Sequence, residues 1–454
     1  MNPRIFREYD IRGVAERDLD SSFVHDLGCA IGTHLVQHGA QRITLGRDCR
    51  VTSPRLHERL LVGLRSTGLH VIDVGIVSTP LLYFSVFHFD ADGGVQITGS
   101  HNPPEDNGFK ILRGKSTLHG AEIQTLRTRV ESRDFHRASS PGTYEQVDIQ
   151  APYLAHAVSA LKLGERRFPV VVDAGNGTGG ITCVPLLRQL GFPVTELYCE
   201  LDGRFPNHHP DPTVEENVAD LRAKLVETGA EVGIALDGDA DRIGVVDARG
   251  RIVWGDQLMI LFARAILAEQ PGATFVSEVK CSQALYDEIA RAGGRAIMWK
   301  VGHSLIKEKM KQEHAVLAGE MSGHIFFAHR YFGFDDAIYA AARLCELLSR
   351  SPKTLADHVD TLPKLYNTPE IRIDCPDELK FEVVKRAVER FRCEHEVIDV
   401  DGARVKFSDG WGLVRASNTG PVLVLRFEAA TETRLAEIRS YVEQGLAAVR
   451  AELR

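Results

Sequence analysis

The 454-residue chain has no C-x-x-C pair, and its eight cysteines, at positions 29, 49, 183, 199, 281, 345, 375 and 393, are scattered. That spacing excludes a zinc knuckle and a dense disulfide framework. No apolar run approaches the ~20 residues that cross a bilayer. The longest, Leu258 to Ala268, is interrupted by Arg264. Met1 to Arg7 lack the apolar core of a secretion signal, so a reducing cytoplasm is the expected location and no membrane partner is expected. Basic charge is in deficit, since 54 Lys and Arg against 62 Asp and Glu leave a net charge of −8. A dedicated nucleic-acid binder usually carries a basic face, so that class is disfavoured. At 44% hydrophobic and 26% charged residues the composition is that of an ordinary globular protein, not a disordered chain, a collagen or a coiled coil. The length suggests about three domains.

What the chain does contain is an architectural repeat with little identity between copies. The first copy reads as a strand at Ile43 to Gly46, a helix from about Pro54 to Ser66, a stop at Thr67-Gly68 and a strand at His70 to Val74. A second begins at Pro169 to Asp173, runs as a helix to Leu190, stops at Gly191 and resumes at Val194 to Tyr198. A third begins at Thr274 to Val276, runs as a helix to Arg291, stops at Gly293-Gly294 and resumes at Ala296 to Trp299. Each is a βαβ unit, which implies a mostly parallel sheet covered by helices.

Each copy is followed by an apolar strand that enters a polar, glycine-punctuated loop. These strands are Gly94 to Ile97, Val232 to Leu236 and Ala315 to Ala318. Their loops are Thr98 to Pro104, Asp237 to Arg242 and Gly319 to His324. Ligands gather beyond the carboxyl ends of strands in such sheets. The last 90 residues or so read as strand, helix, three short strands and helix. The expected architecture is therefore α/β: three similar βαβ-based mixed-sheet domains (1–148, 149–251, 252–364) plus a C-terminal α+β domain (365–454) around one central cleft.

The loops differ in chemistry. Ser100 sits between Gly99 and His101, with Pro103-Pro104 stiffening the loop and Lys110 close by. Such a hydroxyl suits a nucleophile or phosphate carrier, although a turn-rich connection has the same composition. In Asp237-Gly238-Asp239-Ala240-Asp241-Arg242, side chains two apart on an extended segment point the same way, so the carboxylates converge and need a cation. Arg242 and Ala248 occupy the positions where an EF-hand needs Gly and Glu. The triplet therefore suits Mg²⁺ with open coordination positions. Glu320 and Ser322, between Gly319 and Gly323, and His324 just after them offer hydrogen bonds to sugar hydroxyls, and Lys300 to Ser304 places His303 at a strand end. Arg415-Ala416-Ser417-Asn418-Thr419 has the inventory of a phosphate cradle. Arg12 follows Tyr9 in a short motif ending at Gly13. Gly175-Asn176-Gly177-Thr178-Gly179-Gly180 fits the dinucleotide fingerprint, with Glu196 about 20 residues on. The βαβ module explains the same glycines as a tight turn, so a nicotinamide-dependent oxidoreductase stays a minority reading beside a non-catalytic sugar-phosphate sensor.

Taken in order, the Ser100, Asp237, Glu320 and Arg415 motifs resemble those of the α-D-phosphohexomutases, and the resemblance spans the chain from Tyr9 to the last domain. It implies an isomerase that moves phosphate between O1 and O6 of mannose or glucose phosphates through a phosphoserine and a hexose 1,6-bisphosphate. A mutase of narrower specificity, for glucose or glucosamine phosphates, is the alternative. The resemblance gives Ser100 the phosphoryl group and makes Asp237, Asp239 and Asp241, with the Ser100 phosphate, the ligands of one Mg²⁺. Arg12, His101, Lys110 and Arg242 surround the transferring group, with Lys110 ahead of His101 as general base. Tyr9, Lys280, His303, Glu320, Met321, Ser322, Gly323 and His324 line the sugar site. Arg415, Ala416, Ser417, Asn418 and Thr419 hold the phosphate that is not reacting. Met321 points to the mannose/glucose subgroup. Glucose 1,6-bisphosphate is the implied activator, and a monomer is expected.

Overall fold

The computed structural model describes residues 1–418 and 420–453. Four sheets divide the described residues. The first three share one strand plan. In the first, the parallel strands His70–Ile76, Arg42–Arg47 and Gly93–Ile97 lie side by side, and Asp106–Arg113 then pairs antiparallel with Gly93–Ile97. In the second, the same places are taken by Val194–Leu197, Val170–Asp173, Val232–Leu236 and antiparallel Ile243–Asp247. In the third they are taken by Arg295–Trp299, Thr274–Glu278, Leu317–Gly319 and antiparallel Ile325–Phe327. Each chemistry-bearing loop is therefore the same turn, from the last parallel strand into its antiparallel neighbour.

The edges are less regular. Ile11–Val14 pairs with Asp106–Arg113 and sets Arg12 opposite Gly108, so the N-terminal motif lies beside the Ser100 loop. Ile252–Val253 pairs with Ile243–Asp247 and extends the second sheet two residues past position 251. A two-residue edge strand has no readable period in the sequence.

The C-terminal unit is wholly antiparallel and richer in strands than expected. Tyr366–Asn367 and Ile371–Asp374 precede the helix Asp377–Arg392. Val397–Ile398, Ala403–Phe407, Gly410–Ala416 and Val422–Ala429 follow it, before the last helix Glu432–Glu452. Tyr366–Asn367 and Val397–Ile398 are again too short to show an alternation.

Apolar burial joins the first three units into one body. Tyr83 and Phe84 of the first unit, Val170 and Ile234 of the second, and Phe275 and Tyr339 of the third belong to a single buried cluster. The helix Gly255–Glu269 carries the Leu258 run and lies within this core. Among the described residues no helix is long and apolar enough to cross a membrane. The last unit docks on the third through buried cations. Arg404 donates to the carbonyls of Val279 and Cys281, and its guanidinium stacks 3.8 Å from the centroid of Trp411. Arg426 donates to the carbonyl of Lys280.

Candidate active site

The loops converge on Ser100. Its hydroxyl donates to Asp237 Oδ2 at 2.7 Å and lies 3.0 Å from Nδ1 of His101. The residue is in the left-handed backbone region (φ 48°), uncommon without glycine and a form of strain that clusters at functional sites. Lys110 follows on the strand Asp106–Arg113, and its ammonium donates to Asp239 Oδ2 at 2.8 Å and to Asp241. Arg12 donates to Asn102 Oδ1 at 2.7 Å and pairs with Asp10 at the same distance.

The three aspartates converge, but not as an extended segment. The chain turns, with Ala240 left-handed at φ 57°. Asp237 Oδ1 accepts from the amides of Asp241 and Arg242 at 3.0 and 3.1 Å. Spacing two apart therefore located the cluster for a reason that the backbone does not use. One carboxylate oxygen from each aspartate lies within 4.8 Å of the others. Among the described residues Asp239 Oδ1 is buried with no donor in reach, although Thr79 Oγ1 donates 2.5 Å to the other oxygen. An oxygen-only set with a bare buried lone pair fits a hard divalent cation.

The charges are tightly interlocked. Burial pushes Asp237 well above the usual carboxylate range, with Asp241 and Asp239 adding to it. Burial would raise Asp241 too, but Lys110 and His324 pull it well below. Lys110 is held charged: burial opposes its ammonium, yet Asp239 and Asp241 outweigh that and raise its pKa. His101 goes the other way, its enclosed position and the cations Arg242 and Arg12 keeping the ring neutral. An ammonium held between two carboxylates has no lone pair to offer, whereas a neutral imidazole has one.

The sugar loop is stitched to the aspartate loop. Arg242 and His324 form a backbone bridge, and Ile243 N donates to Gly323 O at 3.0 Å. The ring of His324 spans Asp241 (3.2 Å) and Glu320 (2.8 Å). Burial disfavours its charge, but Asp241 leads the groups that raise its pKa to about 9. Glu320 falls to about 2, burial being outweighed by the His324 hydrogen bond. Ser322 Oγ is 3.2 Å from His324 Nδ1. Met321 N donates to Glu278 Oε1 at 3.2 Å, and Lys280 N to Glu278 Oε2 at 2.7 Å. The Lys280 ammonium reaches Glu370 at 3.1 Å. The His303 ring lies 5.8 Å from that of His324 and is kept neutral by burial and Lys307.

The last unit closes the ring of contacts. Arg415 pairs with Asp401 at 3.1 Å, and Asp401 also accepts from Val301 N at 3.0 Å. Asn418 donates to the Tyr9 hydroxyl at 2.6 Å, which itself donates to Val301 O at 2.8 Å. Ala416 is buried and Ser417 N bonds Val422 O at 3.0 Å. Thr419 lies outside the described residues. Gly302 permits this closure, since at φ 131° an added Cβ would stand 2.5 Å from the Tyr9 ring. Gly302→Ala is expected to destabilise the fold by roughly 1–3 kcal/mol, read as a lowered denaturant midpoint; an unchanged midpoint would show that Tyr9 is free to move aside.

Reasoning from sequence passed over Asp48, Arg50, Thr79 and Glu278, whose partners are mostly backbone or distant carboxylates. The dinucleotide reading loses its footing here. Gly177 is small because the metal loop packs on it, an added Cβ meeting Gly238 O at 2.5 Å, and Glu196 is paired with Arg188 at 2.7 Å.

Four family signatures cover the chain in order. Phosphoglucomutase/phosphomannomutase, alpha/beta/alpha domain I matches residues 3–137, domain II 151–250, domain III 254–366 and the C-terminal domain 370–444. The chain belongs to this family. A phosphomannomutase/phosphoglucomutase of Pseudomonas putida is 47% identical over 451 residues, 99% of this chain and 96% of its own. A phosphoglucomutase of Neisseria gonorrhoeae is 46% identical over 439 residues, 96% of this chain and 95% of its own. The crystal structure of a phosphoglucomutase/phosphomannomutase family protein from Burkholderia thailandensis superposes with a TM-score of 0.92 at 40% identity, covering 99% of this chain and 98% of that one. The phosphohexomutase resemblance and the α/β fold both hold, and the protein is an enzyme, an isomerase that transfers a phosphoryl group reversibly on hexose phosphates.

Proposed function

We propose that the enzyme interconverts mannose 1-phosphate with mannose 6-phosphate, and glucose 1-phosphate with glucose 6-phosphate, through phosphorylated Ser100 and a hexose 1,6-bisphosphate. The observation that carries this is the Ser100 hydroxyl 2.7 Å from an aspartate of the metal-competent trio, where three loops of one architectural repeat meet. In the first half-reaction the bond from Ser100 Oγ to phosphorus breaks and one from a sugar oxygen forms. The sugar hydroxyl loses its proton and Ser100 regains one. Neutral His101, 3.0 Å from Oγ, suits that exchange because one nitrogen can accept while the other releases. The sugar then turns end over end and the other phosphate returns to Ser100.

Asp237, Asp239 and Asp241, with a phosphate oxygen on Ser100, are the proposed holders of Mg²⁺, which would supply charge neutralisation. Each phosphate monoester carries about −1.5 to −2 charges at neutral pH, so local cations must overcome the net −8. Arg12, Lys110, Arg242, Lys280 and Arg415 form that local field. Lys110→Ala is expected to lower kcat about 10²-fold while changing KM far less, because its charge matters most as negative charge builds in transfer. Equal kcat values in variant and parent would remove Lys110 from the reaction.

The proposed units are a phosphoserine domain (1–148), a metal-binding domain (149–251), a sugar-binding domain (252–364) and a phosphate-binding C-terminal domain (365–454). Every proposed group comes from one chain, so a monomer is sufficient. Eight free cysteines suit a cytoplasmic setting. Conversion of each 1-phosphate to its 6-phosphate, assayed with Mg²⁺ and a trace of glucose 1,6-bisphosphate as activator, tests the reading. Activity on only one sugar would narrow it.

A further inference from the structure

The loop that presents Ser100 is wrapped around one guanidinium. Arg50 lies just past the strand Arg42–Arg47 and is 1% exposed. One terminal nitrogen donates to the carbonyls of Pro103 and Asp106 at 2.5 and 2.9 Å. The other donates to the carbonyls of Ser100 and Asn102, both at 2.7 Å. Nε is in ion-pair contact with Asp48 at 3.2 Å. The ring of Phe205, from the second unit, lies 5.0 Å from the guanidinium carbon.

Asp48 grips the same loop from the other side. Its Oδ2 accepts from Gly99 N at 3.0 Å, and its Oδ1 from Arg50 N at 3.1 Å and Ser53 Oγ at 2.5 Å. Glycine at position 99 lets the guanidinium approach, since a Cβ there would stand 2.4 Å from it.

We propose that Arg50, oriented by Asp48, is a positioning residue that holds Ser100 in its left-handed backbone conformation and so aims Oγ at Asp237. The inference rests on the reading of Ser100 as phosphoryl carrier. Four carbonyls of one tight loop point inward at a single site, and only a planar fork can satisfy them together. A lysine ammonium in that place is a point charge with three donors. Losing the fork frees these carbonyls to turn outward to water, and the strained φ at Ser100 relaxes with them. The bonds that hold Glu320 run to His324 and Gly302, so ground-state binding of the sugar is expected to stay intact.

Arg50→Lys is therefore expected to lose about 10²-fold in kcat, the scale of a misplaced reacting group, with KM within about twofold of the parent. Phosphorylation of Ser100 by glucose 1,6-bisphosphate, followed by intact mass, slows in parallel. In Arg50→Ala, millimolar guanidinium restores part of kcat and ammonium does not. A general loss of stability would give none of this split. Should Arg50→Lys fail to fold by near-ultraviolet circular dichroism, Asp48→Asn carries the same test, because it keeps the arginine and misorients it. Parental kcat in the folded variant, with Ser100 still phosphorylated, overturns the role of Arg50 and leaves the phosphoserine reading standing. Turnover without any phosphoryl group on Ser100 overturns both.

Discussion

Ser100→Ala is expected to reduce kcat by about 10⁴-fold or more, the scale on which removal of a covalent nucleophile is felt. The fold should survive. Ser100 is 2% exposed, and its loop is held by bonds to backbone atoms and by Asp48. The variant should therefore keep parental stability and bind sugar phosphate while transferring nothing. Because the variant lacks the Ser100 phosphate oxygen proposed as a metal ligand, its affinity for Mg²⁺ is also expected to fall below that of the phosphorylated parent, read by calorimetry with Mg²⁺ alone. Retained turnover would mean that phosphate passes between sugar oxygens without visiting the serine.

Metal removal is expected to have the next largest effect. Three aspartates with no exposed surface share one pocket. Lys110 and His324 supply positive charge against them, and among the described residues Asp239 Oδ1 has no donor. Dialysis against a chelator should lower kcat by about 10²-fold or more, since a bound divalent ion is worth several kcal/mol to a transferring phosphoryl group, and added Mg²⁺ should restore it. The same ion should raise the melting temperature of the parent, by mass action on the folded state. In Asp239→Asn both responses should disappear together. A parent enzyme that turns over fully after chelation, or an Asp239→Asn variant that responds to Mg²⁺ like the parent, would exclude the trio as the metal site.

The site loops are legible in the sequence because their chemistry is concentrated in short segments between two strands. Ser100, Asp237 and Glu320 each follow a run of apolar residues, and each turn carries its own glycines. Architecture follows from the same repeat, since strand, helix and strand recur with similar spacing. What stays hidden has partners far along the chain. Asn418 meets Tyr9 across 409 positions, and Arg50 binds carbonyls about 50 residues away. Arg47-Asp48-Cys49-Arg50 shows its role only once the loop it clamps is in place. The aspartate triplet is instructive in a different way. Its spacing marks the cluster, yet the convergence comes from a turn at Ala240, which a strand-like reading cannot supply. Lys110 and His101 show the same limit for protonation, because which nitrogen holds a lone pair depends on neighbours up to 141 positions off, Arg242 among them.

A chase of labelled phosphate tests the central claim most directly. The enzyme is loaded with glucose 1,6-bisphosphate carrying labelled phosphate, freed of sugar, and mixed with unlabelled mannose 6-phosphate in a single turnover. The account predicts one label per chain, found on the peptide containing Ser100, that leaves the protein and appears in mannose phosphates as turnover proceeds. Label that stays on the protein while mannose 1-phosphate accumulates, or that maps to a residue other than Ser100, would contradict it.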